Sequence, residues 1–93
     1  MSAAIARRLT ISGRVQGVGF RYALADEARA RKLRGWVRNR RDGTVEALIA
    51  GPEGEVEAMI AWARRGPPAA RVTEVKVEPA TADSADFEIV STA

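Results

Sequence analysis

Leu9 and Ile11 alternate with Arg8, Thr10 and Ser12, a period of two that predicts a first strand with one buried face. Arg7 interrupts that alternation at its start. After a run of glycines, Phe20, Ala23, Leu24 and Ala28 fall on one helical face with Asp26 and Glu27 outward. Arg29, Arg31 and Lys32 gather near that helix's end, where its dipole presents a negative pole. Gly35-Trp36-Val37-Arg38-Asn39 predicts a second strand and Arg41-Asp42-Gly43-Thr44 a turn, since Asp-Gly between two strand-like runs is a strong hairpin signal. A third strand follows from Thr44 to about Ala50, with Val45, Ala47 and Ile49 sharing a face and Gly51-Pro52 closing it. In the second helix Glu53, Glu55 and Glu57 crowd the positive pole and Arg64 and Arg65 the negative one. Its inner stripe is Val56, Met59, Ile60 and Ala63, and Gly66-Pro67-Pro68 stops it. Val75 and Val77 mark a fourth strand ended by Pro79, and Phe87 and Ile89 a short fifth.

The order strand, helix, strand, strand, helix, strand predicts an α+β fold of two split β-α-β units, with both helices on one face of an antiparallel sheet. If the first two strands run parallel, as a right-handed crossover requires, their C-terminal ends share one sheet edge. The glycine loop ends one of them and Asn39 the other. Two polar devices far apart in sequence are thereby expected to meet at a single shallow site.

That loop, Gly13-Arg14-Val15-Gln16-Gly17-Val18-Gly19-Phe20-Arg21, is the stretch where chemistry is most plainly written. Glycines let a ligand approach the main chain, and amides at the start of a helix point outward with partial positive charge. Together they make an anion cradle. Arg21 then falls in the helix's first turn, where the dipole disfavours a cation unless an anion offsets it. A guanidinium beside free amides suits phosphate oxygens, which it grips with parallel hydrogen bonds. Two familiar phosphate loops are excluded, because no Gly-Lys-Ser/Thr follows and the Gly-x-Gly-x-x-Gly pattern is not completed after Gly17 and Gly19.

Composition narrows the chemistry further. The 93 residues are enough for one small domain, residues 1–93, with a modest two-layer core. Cysteine and histidine are both absent, which removes disulfides, thiol nucleophiles, imidazole bases and the usual zinc sites. Residues 1–41 hold eleven Arg or Lys against Asp26 and Glu27, whereas residues 42–93 hold four against ten acids. The net charge of +3 hides this split, which favours an anionic partner near the first half. No long apolar run is present and Ser2 to Ala6 is too short for a secretory start, so a soluble cytoplasmic protein without a membrane partner is expected.

The loop, the Gly35 to Asn39 strand, the Asp42-Gly43-Thr44-Val45-Glu46 turn and the Trp62 to Pro68 helix end together resemble the acylphosphatase family. Gly13 to Arg21 matches that family's signature at every position, and the second motif follows at the expected distance. The resemblance implies a ferredoxin-like α/β sandwich. It also implies hydrolysis of small-molecule acyl phosphates to a carboxylate and inorganic phosphate, without metal or cofactor; a monomer is expected. By that likeness Arg21 binds the phosphoryl oxygens and Asn39 holds the attacking water, while backbone amides from Gln16, Gly17, Val18, Gly19 and Phe20 complete the cradle, in which phosphate or sulfate would also sit. Arg40 departs from the small or hydroxyl residue that commonly follows the asparagine. The Ile89 to Ala93 end lacks the charged or aromatic terminal residue of many members.

Plainer readings stand beside these. Arg21 taken alone is a partner for a surface acid, and Asn39 alone a cap for the hairpin. Trp36 and Trp62 read as packing residues, Tyr22 as partly exposed, and Asp42 and Glu46 as turn and sheet surface. A non-catalytic module of the same fold, binding RNA or a small anion through the basic first half, is the alternative from another class. A second is the acylphosphatase-like domain of larger carbamoyl-transferring maturation proteins.

Overall fold

The computed structural model describes residues 4–93, so the beginning of the Ser2 to Ala6 stretch lies outside the described residues. The chain runs β1 (Ala4–Arg14), α1 (Phe20–Ala30), β2 (Arg34–Asn39), β3 (Val45–Pro52), α2 (Glu53–Arg65), β4 (Arg71–Pro79) and β5 (Phe87–Ile89). This is the order of two split β-α-β units that the hydrophobic pattern predicts, and the ferredoxin-like order that the resemblance implies. β1 reaches back beyond Leu9 through Arg7, which pairs with Ile49 of β3 and Pro79 of β4. A strand flanked on both sides is held by its ladder, so one residue out of pattern does not end it.

The strands lie in the order β4-β1-β3-β2-β5. β1 and β2 are each antiparallel to β3 between them, and therefore parallel to each other. Val45 of β3 lies between Ile11 of β1 and Asn39 of β2, so both strands finish at the same end of the sheet. The sheet is mixed rather than wholly antiparallel, because β5 pairs in parallel with β2, Gly35 opposite Phe87 and Val37 opposite Ile89. β4 runs antiparallel to β1 and so stops at the end where β1 and β2 begin. A chain that crosses that end directly to the far edge must enter running with β2.

Leu9, Ile11, Val37, Val45, Ala47 and Ile49 are fully buried in one core with Phe20, Leu24, Ala25 and Ala28 of α1 and Val56, Met59 and Ala63 of α2. Both helices therefore cover the same face of the sheet. Ala25 takes the buried place that helical spacing suggested for Ala23, because α1 packs over both β2 and β5 and its apolar stripe turns toward that edge. Phe20 meets Trp62 edge to face with ring centroids 5.8 Å apart, which locks the start of α1 against α2.

Among the described residues no helix covers the other face, and there Glu46 is a correction to its expected place on the sheet surface: it is 2% exposed. Arg38 Nε donates to its Oε1 at 2.8 Å, Arg40 Nη1 lies 3.5 Å from the same oxygen, and Arg8 Nη1 lies 3.9 Å from Oε2. The arginine stems cover the carboxylate while their charged heads offset its desolvation. Trp36 shares this face with Arg38 stacked 4.7 Å above its ring, a cation–π contact.

The β2–β3 hairpin turns at Gly43, φ 94°. Asp42 Oδ1 accepts hydrogen bonds from Thr44 N at 2.9 Å and Thr44 Oγ1 at 2.7 Å. Those bonds hold the exposed Asp42 carboxyl below its ordinary value of 3.8. Beyond β5 the chain continues beside β2: Val90 N donates to Val37 O, Ala93 N to Asn39 O and Arg41 N to Ala93 O. The main chain around Asn39 is thus held on both sides.

Two outcomes follow from this frame. Gly35 has φ 133° and a Cβ built on it would lie 1.8 Å from Leu48 O, so Gly35→Ala lowers unfolding stability by roughly 2–4 kcal/mol, read from the urea midpoint. Asp42→Ala is destabilising at neutral pH, and the gap to the parent narrows as pH falls below 3.8. The sign follows because a carboxyl with a lowered folded-state pKa contributes stability above its unfolded value and loses it on protonation. Tm measured across that acid range checks it.

Candidate active site

The segment between β1 and α1 carries two glycines in the left-handed region, Gly17 at φ 72° and Gly19 at φ 76°. A residue with a Cβ is strained there, which is why glycine recurs at alternate positions. Gly19 is the N-cap of α1 and supplies no side chain to cap it. The first amides of that helix are therefore left facing the loop, as any uncapped N-terminus requires. Ala23 N, bonded to Gly19 O at 3.0 Å, begins the helical ladder.

Val15, Gln16, Gly17, Gly19, Phe20, Arg21, Tyr22 and Asn39 line one cavity of about 220 Å³. The predicted loop residues Gln16, Gly17, Gly19 and Phe20 are thus brought together with Arg21 and Asn39, whereas Val18 turns aside and packs on the core. The two devices meet because Gln16 reaches across to the hairpin. Its Nε2 donates to Arg40 O at 2.7 Å and to Thr44 O at 2.9 Å, over 24 and 28 residues of sequence. Each such bond contributes roughly 0.5–1.5 kcal/mol, and two from one carboxamide also fix its direction. Sequence reading valued Gln16 for its amide and missed this role of its side chain.

The plainer readings of the two polar side chains lose their support here. Arg21 forms no ion pair with a carboxylate among the described residues. The hairpin is capped by Asp42 rather than Asn39. Asn39 Oδ1 is instead a buried acceptor with no hydrogen-bond partner. Such an oxygen costs roughly 1–3 kcal/mol when unsatisfied, and it belongs to a residue that lines the cavity. Arg40 does not line the cavity, because Glu46 at 3.5 Å and Asp42 at 3.9 Å draw its guanidinium to the open face.

A larger, open hollow of about 420 Å³ lies by the far end of α1, between Arg29, Lys32, Arg34 and Phe87. There Arg29 is spent on Phe87 O at 3.0 Å, and no orphaned polar atom faces it among the described residues. Among the described residues Trp36 is the one aromatic side chain on the open sheet face, a single platform where stacked bases need several. No helix of the described residues is long and apolar enough to cross a membrane.

The family model of acylphosphatase matches residues 7–89. An acylphosphatase of Burkholderia cenocepacia is 63% identical over 68 residues, 73% of this chain and 69% of that protein. The structure of an acylphosphatase from Coxiella burnetii superposes with a TM-score of 0.90 at 34% identity, covering 94% of this chain and 93% of that one. Full-length HypF in its phosphate- and nucleotide-bound form matches with a TM-score of 0.89 and 32% identity, over 99% of this chain but 12% of that one. With a family model spanning nearly all of its length and relatives of this similarity, the chain belongs to the acylphosphatase family.

Proposed function

We propose that this acylphosphatase hydrolyses its substrate by in-line attack of a water held by Asn39 on a phosphoryl group gripped by the Gln16 to Phe20 loop and Arg21. The observation that carries the reading is the shared cavity: Arg21, in no ion pair among the described residues, the uncapped start of α1 and Asn39, whose buried Oδ1 has no hydrogen-bond partner, come together around the same space.

An acyl phosphate already carries a good leaving group, a carboxylate, so little acid help is needed. The barrier falls through positioning and through stabilising charge on the equatorial phosphoryl oxygens. The loop amides and Arg21 supply positive charge fixed before the substrate arrives. Asn39 takes no proton at neutral pH, but its oxygen accepts from a water and its amide donates, which aims the water's lone pair at phosphorus. As the new P–O bond forms, the bond from phosphorus to the acyl oxygen breaks and its electron pair leaves on the carboxylate. The water's proton ends on the phosphate produced. Neither metal nor cofactor enters the scheme, in which residues 1–93 work as one monomeric cytoplasmic unit.

The assay is turnover of acetyl phosphate with excess chelator present. Inorganic phosphate inhibits competitively, because product and substrate share the cradle. Turnover that vanishes with chelator and returns with a divalent ion overturns the scheme. Arg21→Gln weakens phosphate inhibition and rate together, whereas Asn39→Ala lowers kcat by roughly a hundredfold or more while phosphate still inhibits. Equal activity of both variants and the parent would leave the site without a role.

A further inference from the structure

We propose that Tyr22 is the wall against which the acyl part of the substrate rests, so that the site prefers aromatic acyl phosphates; this rests on the phosphoryl group lying in the loop as described above. Tyr22 is 63% exposed and, with Val77, is one of two large apolar side chains exposed among the described residues. It is also the one of the two that lines the cavity.

The position follows from the helix. Tyr22 is in the first turn of α1, where side chains lean back toward the N-terminus and so over the loop. The guanidinium carbon of Arg21 lies over one face of the Tyr22 ring, 5.8 Å from the centroid, so the ring stands beside the group that grips phosphate and has its other face to offer. A phosphoryl group seated on the amides directs its acyl substituent outward, toward the cavity mouth. The apolar residues deeper in the lining offer it no surface, because Val15 and Phe20 are each 1% exposed. A Cβ built at Gly17 or Gly19, which also line the cavity, would meet nothing within 4 Å. A flat ring thus finds an aromatic face to lie on and bare backbone leaving it room.

Steady-state kinetics with benzoyl phosphate and acetyl phosphate tests this in the parent, Tyr22→Ala and Tyr22→Phe. The benzoyl to acetyl ratio of kcat/KM falls roughly three- to tenfold in Tyr22→Ala, chiefly through a higher KM for benzoyl phosphate, as loss of an aromatic contact predicts. Tyr22→Phe retains the parental ratio within about twofold, since the ring carries the contact. An unmoved ratio in Tyr22→Ala, or an equal fall in Tyr22→Phe, overturns the proposal while leaving the hydrolytic scheme intact. A parent that hydrolyses neither compound overturns both.

Discussion

The side-chain amide of Gln16 joins the two halves of the site. Its hydrogen bonds to Arg40 O and Thr44 O tie the glycine loop to the hairpin that follows Asn39. The loop has no ladder of its own, and its left-handed glycines make it costly to order. Without that bridge, the amides before α1 would have no hydrogen-bonded tie to the carboxamide at the end of β2, which its own neighbours hold in place. Preorganised donors act only if they are already aimed when charge develops. The carbonyls that Gln16 uses are themselves engaged in the turn, Arg40 O with Gly43 N and Thr44 O with Arg40 N. Loop and hairpin are therefore one hydrogen-bonded unit.

The open face of the sheet bears on the same site from behind. Arg38 and Arg40 flank Asn39 in sequence, and both are drawn to Glu46. A carboxylate this buried is tolerable only among cations, and these hold the end of β2 in a fixed attitude. The arrangement also keeps Arg40 out of the cavity, leaving Arg21 as the guanidinium that lines it. The excess of cations in the first half thus serves two ends. Part of it balances an acid inside the sheet face, and Arg21, in no ion pair among the described residues, lines the cavity.

Most elements could be read from local pattern because local pattern carries their physics. Leu9 and Ile11 alternate since one face of β1 is buried, and Asp42-Gly43 turns since glycine accepts the positive φ and aspartate caps Thr44. Arg21 could be singled out from its awkward place in the first turn. Other features left no such trace. Glu46 looks like any outward strand residue until Arg8, Arg38 and Arg40 close over it. The direction of β5 follows from where β4 stops, which no feature of Phe87 to Ile89 encodes. Val18 and Tyr22 sit on either side of the cavity boundary for reasons of backbone direction alone.

Residue order fixed the conformations that depend on near neighbours: which segments are helix or strand, where glycine must bend the chain, and which amides are left uncapped. Those depend on φ, on the spacing of apolar positions and on dipoles within a turn, all properties of a few consecutive residues. Assembly fixed everything that depends on distance through space. It set Asn39 beside the loop by placing β1 and β2 on either side of β3, buried Glu46, and left Tyr22 standing at the mouth of the cavity. The division has a simple cause, for burial and the meeting of side chains are set by the whole packed sheet, and no short stretch of chain contains that information.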